Sequence, residues 1–217
     1  MRKTIQEYTT KAAVALLLTA GLIASANAIP VTINMTADNI IADGGLCSDA
    51  SCAGLTGWAG LVSGSLSNLS NWHKSDSLTI DLSDGTYYFT WDIFNNLPAS
   101  SGNPAGLLAE ILWDGNTNYS SSAWEIYDVS TGATIENATE YGLNGGSNIW
   151  KRVNGGPVAG ISTNSNWIYT SNNFSRADES AWVRTSITIH SVPEPGVLAL
   201  ITVGLLGLTF MRRKRNA

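Results

Sequence analysis

Along the middle of the chain apolar and polar residues alternate, and a repeat of two marks strands with one buried face. The pattern runs through VTINMTA (31–37), LTIDL (78–82) and TYYFTWDIF (86–94), then LLAEILW (107–113), AWEIYDV (123–129), WIYT (167–170) and AWVRTSITI (181–189). Turn-forming runs separate these segments: SDG at 83–85, PASSGNPAG at 98–106, DGN at 114–116, and NGG at 144–146 and 154–156. Helical periodicity is almost absent between them. Many short strands with Gly/Asn turns predict an all-β domain, a sandwich or a barrel. In the last strand Ala181, Val183, Thr185, Ile187 and Ile189 share the face predicted to be core, and Trp182, Arg184, Ser186, Thr188 and His190 share the other. In 86–94 the apolar set is Tyr87, Phe89, Trp91 and Ile93. One buried face per sheet is the pattern of a two-sheet sandwich.

The ends of the chain break this pattern. Arg2, Lys3 and Lys11 precede an apolar stretch from Ala12 to Ala24, and Ala26-Asn27-Ala28 supplies the small residues of a signal-peptidase site. Residues 1–28 are therefore expected to be a signal peptide, helical in its apolar part and cut after Ala28. At the other end Pro193 and Pro195 cannot continue an upstream strand or helix. Sixteen uncharged residues, Gly196 to Met211, then span roughly 24 Å as a helix. Arg212, Arg213, Lys214 and Arg215 form a stop expected to stay cytoplasmic. The expectation is a single transmembrane helix in residues 192–217, which leaves 29–191 as one exported domain.

Export changes the charge balance. Within 29–191 five cations stand against fifteen acids, a net of −10, although the whole chain carries −5. Such a surface repels phosphate backbones, so nucleic acid is excluded as a partner. Cys47 and Cys52 are the two cysteines, in CSDASC, and an oxidising compartment favours a disulfide between them. Two thiols with no nearby His or second pair make an incomplete metal site.

The tail, Val192-Pro193-Glu194-Pro195 followed by an apolar helix and Arg212-Arg213-Lys214-Arg215, resembles the PEP-CTERM protein-sorting signal. That resemblance implies that Pro193, Glu194 and Pro195 are read by an exosortase, a membrane transpeptidase-like enzyme, after signal peptidase has acted. It implies transient anchoring in the inner membrane and a final place at the cell surface or outside the cell, in systems that accompany exopolysaccharide and biofilm genes. A second stretch, NWHKSDSLTIDLSDGTYYFTWDIFNN followed by GNPAGLLAEI, is similar to galactose-binding-domain-like jelly rolls. It implies a jelly-roll-like β-sandwich, a fold that hosts sugar-binding modules and purely structural units alike.

All eight Trp lie in the exported domain. Flat aromatic faces suit sugar rings, and they equally suit sandwich cores. Trp91 reads as core. Trp182, opposite the predicted core face, Trp58, in a Gly-rich loop, and Trp72 are the candidate glycan contacts, with Trp58 and Trp182 expected to be exposed. DGNTNYSSSAWE (114–125) places Asp114, Asn116, Asn118, Ser120, Ser122 and Glu125 at the ligand positions of a calcium loop. Tyr119 occupies the place of its turn glycine and strands flank it, so a hairpin turn is the better reading. Calcium enters only as a structural ion, and no other cofactor is expected. Catalysis finds little support. His73 and His190 have no metal or triad spacing, there is no G-x-S-x-G, and pairings among Asp92, Glu110 and Asp114 are expected by chance among fifteen acids. The expectation is a non-enzymatic exported protein that binds exopolysaccharide or serves as structural matrix, with a glycan-active enzyme a distant third.

Overall fold

The computed structural model describes residues 28–61, 66–96, 100, 102–172, 180–190 and 204, without the side chains of 152–154. The signal segment before Ala28, the Pro193-Glu194-Pro195 motif, the apolar run after it and the basic residues 212–215 lie outside them. Among the described residues no helix is long and apolar enough to cross a membrane.

Each of the seven alternating segments contains a strand. They are β1 (Ile29–Asp38), β4 (Asp76–Leu82), β5 (Gly85–Phe94), β6 (Gly106–Trp113), β8 (Glu125–Tyr127), β11 (Asn166–Tyr169) and β12 (Ser180–Ile189). Five further strands were not expected: β2 (Ile40–Cys47), β3 (Thr56–Gly57), β7 (Asn116–Tyr119), β9 (Thr134–Asn137) and β10 (Thr139–Leu143). These are short, glycine-bearing or exposed, and pairing to neighbouring strands rather than local pattern makes them strands. Sheet A runs β10-β11-β6-β1-β4, with β7 also on β6; sheet B runs β3-β2-β5-β12-β8-β9. The pairings described in both sheets are antiparallel.

Between the sheets lies one apolar core, the arrangement of a β-sandwich. β1 contributes Val31, Ile33 and Met35, β6 contributes Leu107, Ala109 and Ile111, and β5 contributes Phe89, Trp91 and Ile93. The predicted core face of β12 is buried along its whole length. Trp91 is at the centre, 5.5 Å from Trp58 and 5.0 Å from Trp124 between ring centroids. Its indole nitrogen donates to Met35 Sδ across the sheets at 3.1 Å. Asn118 on β7 also ties the sheets. Its amide donates to Thr185 Oγ1 on β12 at 3.0 Å, and its carbonyl accepts from Trp124 Nε1 at 2.9 Å.

A second, smaller core covers the outside of sheet A. Leu108, Trp150, Val158, Ile161 and Trp167 form it, so β6 is buried on both faces. Trp150 lies on this layer's helix, α2 (Ile149–Asn154), α1 being the four-residue turn Trp58–Leu61. Asn148 caps the start of α2 by accepting from the Lys151 amide, and Gly155 ends it at φ 72°. The NGG at 154–156 is thus a helix stop. The other NGG places Asn144 where its side chain accepts from Val158 N and donates to the Val158 and Ile161 carbonyls. Asp38, at the end of β1, is 4% exposed and accepts from Trp150 Nε1 at 2.9 Å and Asn39 Nδ2 at 2.8 Å.

Candidate functional site

The outer face of sheet B carries the candidate site, and strand register assembles it. Asp43 on β2 stands opposite Asp92 on β5, Asp92 opposite Trp182 on β12, and Trp182 opposite Tyr127 on β8. Residues opposite one another in an antiparallel sheet point to the same face. Asp43, Asp92, Trp182 and Tyr127 therefore form one row across four strands. Asp43 joins it because of a bulge. Ile41 pairs with Ile93 and Asp43 with Asp92, which leaves Ala42 as an extra residue. In regular alternation from the inward Ile41, Asp43 would point into the core; the extra residue turns it outward.

The adjacent row is Gly45, Thr90, Arg184 and Glu125. Arg184 is only 4% exposed although its strand position faces outward. Its Nε and Nη2 donate to Glu125 Oε2 at 3.1 and 2.7 Å, Nη2 donates to Thr134 Oγ1, and Nη1 donates to the carbonyls of Ala50 and Gly132. All five guanidinium hydrogens thus have acceptors. The cation also lies over the Tyr127 ring, 4.6 Å from its centroid. Ala50 belongs to the loop closed by the Cys47–Cys52 disulfide, whose Cα atoms are 5.1 Å apart. Gly132 is in the turn between β8 and β9, at φ 72°, where a Cβ would lie 2.7 Å from Ser51 Cα. Arg184 is a tie that fastens two loops over the face, and it has no hydrogen left for a ligand.

Trp182 is half-buried, with its ring edge-on to Tyr127 at 6.1 Å. Beside it opens a cleft of about 420 Å³ lined by residues that include Tyr127, Val129, Ile135, Glu136, Ser171 and Ser180. Val129 and Ile135 are exposed apolar side chains, and the Ser171 amide donates to Glu136 at 2.9 Å where the ends of the two sheets meet. Burial raises the Asp92 carboxyl above the usual carboxylate range; the Ser180 hydroxyl, donating at 2.9 Å, opposes this and the charge of Asp43 adds to it. Burial likewise raises the Tyr127 phenol, against the effects of the neighbouring Thr90 hydroxyl and the charge of Arg184.

The other predicted residues fall elsewhere. Trp58, expected to be exposed, is 4% exposed and packs on Trp91. Its Gly-rich surroundings allow close approach rather than exposure: a Cβ on Gly44 would lie 2.8 Å from Trp58 Nε1. Trp72 is half-buried, stacked on His73 with centroids 3.9 Å apart, against the second core on the opposite sheet. Asp92 and Glu110 do not converge. Asp92 is on the outside of sheet B, whereas Glu110 is on the outside of sheet A, accepting from Asn34 Nδ2 at 2.9 Å and Ser162 N at 3.0 Å. In the calcium-loop stretch, Asp114 (φ 44°) and Gly115 (φ 75°) form the tight turn of the β6–β7 hairpin. Asn116 donates to the Asp114 carbonyl, Asn118 ties the sheets, and Glu125 holds Arg184. Among the described residues no group of three or more His, Cys, Asp or Glu is placed to hold a metal ion. Asp43, Thr90 and Tyr127 were not anticipated. The polar face of β5 pointed to Thr90, but the bulge that presents Asp43 leaves no mark in the local pattern.

Comparison with known proteins finds no match among curated proteins and none among solved structures. One family matches, over residues 191–215, and it is described as the PEP-CTERM protein-sorting motif. The chain carries this sorting motif directly after residues Ala28–His190 in sequence, which makes it an exported, membrane-transit protein processed by an exosortase.

Proposed function

We propose that the exported domain is a non-enzymatic polysaccharide-binding module that acts at the cell surface or in extracellular polysaccharide. The observation that carries this reading is the row Asp43-Asp92-Trp182-Tyr127, a half-buried indole between carboxylates and a phenol, next to an open cleft. A flat aromatic supplies the apolar face for a sugar ring, and flanking oxygens supply hydrogen-bond partners for its hydroxyls. The two antiparallel sheets fit the resemblance to galactose-binding-domain-like jelly rolls, and such a sandwich leaves an outer sheet face available for a long ligand. A matrix protein without its own ligand is the second reading. It is favoured by the burial of Trp58, Trp91, Trp124, Trp150 and Trp167, which act as packing rather than platforms. Glycan arrays and polysaccharide pull-downs with the full-length protein and Trp182→Ala separate the two. Binding that Trp182→Ala removes, with an unchanged near-UV circular dichroism from the buried tryptophans, supports the module. Equal retention by all glycans, or none by any, overturns it.

A further inference from the structure

We infer that the exosortase, while it holds the sorting motif, docks on one end of the sandwich, where the Ser83-Asp84 and Asp114-Gly115 turns surround the last residue of β12. Strand register defines this end. Ile29 opens β1 opposite Leu82, the last residue of β4. Ser83 and Asp84 carry the chain from there to Gly85, the first residue of β5 in the other sheet. Gly85 stands opposite Ile189, the last residue of β12. Val31 stands opposite Trp113, where β6 turns through Asp114-Gly115 into β7. Just beyond that turn, Asn118 donates to Thr185 Oγ1 at 3.0 Å and to the Ser186 carbonyl at 3.4 Å, which sets the hairpin beside β12. The chain thus enters and leaves the sandwich at the same end, on facing sheets.

The length of chain outside the strands brings the enzyme here. Only His190, Ser191 and Val192 separate Ile189 from Pro193, and the family match begins at residue 191. Four Cα steps reach at most about 14 Å, whatever path they take. Neighbouring strands lie about 5 Å apart and packed sheets about 10 Å apart, so the turns of this end are within a similar distance of Ile189. A membrane enzyme is wider than that, since one helix measures about 10 Å across and its neighbours pack about 8–10 Å away. An active site closed around Pro193 therefore brings the enzyme surface that surrounds it onto these turns. Peeling β12 back would lengthen the reach only by taking core side chains into water. Ile189 and Ile187 are 1% and 4% exposed, and β12 pairs with β5 along its whole length.

Connection lengths support the same assignment independently. At this end both connections are two-residue turns, exposed but short. The longer connections 95–105 and 170–179 are at the opposite end, and the second core covers sheet A from Leu108 toward Asp38, in that far half. Nothing of that size stands around Ile189 to hold an enzyme off. Charge decides between protein and lipid as the occupant. The strand ends and turns here, residues 29–31, 81–86, 112–117 and 187–190, contain no Lys or Arg, while Asp81, Asp84 and Asp114 are exposed. Anionic headgroups attract basic segments and repel an acidic surface, so the enzyme, not the bilayer, is the partner.

The test follows tail removal from the full-length chain, by pulse-chase and mass spectrometry, in cells that carry the exosortase. Inserting about eight Gly/Ser residues between Ser83 and Asp84, or between Asp114 and Gly115, adds a loop roughly 15 Å across, as large as the reach itself. Either insertion should slow tail removal at least about tenfold, because the motif is held away from its productive position. The same insertion after Asn172, at the opposite end, should leave the rate within about twofold of the unaltered chain. A Gly/Ser linker of about sixteen residues after His190, spanning roughly 22 Å, should restore the rate of the slowed variants. Near-UV circular dichroism of the purified variants checks that the sandwich is intact. A second arm needs no insertion: photocrosslinking residues replace Ser83, Asn116 or Asn172 one at a time, with an exosortase inactivated at its catalytic residue. Adducts with the enzyme are expected from positions 83 and 116 and not from 172. Unchanged rates in the turn insertions, or a slowed rate that the linker does not restore, overturn the docking. Adducts with lipid alone, or with the enzyme from position 172 alone, overturn it as well.

Discussion

The indole nitrogen of Trp150 donates a 2.9 Å hydrogen bond to Asp38, 112 residues earlier, where the second core closes over the end of β1. Burial pushes this carboxyl up to about 6, against the opposing effects of the Trp150 hydrogen bond and the charge of His73. The folded state therefore holds the Asp38 proton more firmly than the unfolded chain does. Its contribution to stability is fully present below the unfolded value of 3.8 and falls as pH rises through about 6. The loss across that window is on the order of 2–3 kcal/mol. Asp38→Asn should flatten the unfolding free energy between pH 4 and 7, with the variant gaining relative to wild type at the upper end. Urea titrations at half-unit intervals measure it, and an unchanged slope in the variant would contradict the assignment.

Arg184 and the disulfide loop should behave as one unit. Arg184→Ala leaves Glu125 and two loop carbonyls without their donor, and a cost of about 3 kcal/mol is expected. Glu125 is 38% exposed at its side chain, so Glu125→Gln should cost only about 1 kcal/mol. Replacing both cysteines with serine removes a short loop closure, a loss of roughly 2 kcal/mol. Because Arg184 donates to Ala50 inside that loop, the arginine and cysteine replacements combined should cost less than the two separate losses added together, by at least about 0.5 kcal/mol. A double-mutant cycle from denaturant unfolding reads this directly. Additive losses would show that the loop docks without Arg184.

Asn118 links β7 to β12 and satisfies the Trp124 indole at the same time. Asn118→Ala should destabilise by about 1–3 kcal/mol, since it orphans a buried N–H and releases one contact between sheets. Asn116→Ala, two residues earlier and exposed on the hairpin, should change stability by less than about 0.5 kcal/mol. Unfolding midpoints of the two variants give the comparison.

Gly44 is held at φ 128°, and a Cβ there would lie 2.2 Å from the Thr90 carbonyl oxygen and 2.8 Å from Trp58 Nε1. Gly44→Ala combines backbone strain with overpacking, and should cost about 3 kcal/mol or more. Trp58 should become more exposed in that variant, with its fluorescence red-shifted in the folded state.

The sorting motif makes a prediction about processing. Replacing Pro193, Glu194 and Pro195 with alanine should leave the tail on the protein, retained with membranes, while the unaltered chain loses it. Mass spectrometry of membrane and secreted fractions decides, and identical masses for both chains would contradict the role of these residues.

The face-by-face pattern of β5 and β12 was legible in advance. Phe89, Trp91 and Ile93 alternate with polar residues, and so do Val183, Ile187 and Ile189, because each strand has one side in the core and one outside. The sorting signal was legible too, since a Pro-Glu-Pro, an apolar run and terminal cations act through local chemistry and order alone. Trp58 was misread for want of the same locality. Whether an indole near glycines is exposed depends on what approaches those glycines, and here it is Trp91 from another strand. The strands β2 and β10 became strands by pairing with β5 and β11, distant in the chain, whereas β7 and β9 did so by folding back on β6 and β8, the strands just before them. The candidate site is the clearest case of this dependence. Sequence alone determined that Asp92 and Trp182 sit on outward positions of strands. Only the fold placed them side by side, through register between segments some ninety residues apart, and only a one-residue bulge turned Asp43 to join them. Periodicity is a property of a strand by itself, whereas register and bulges exist only between strands.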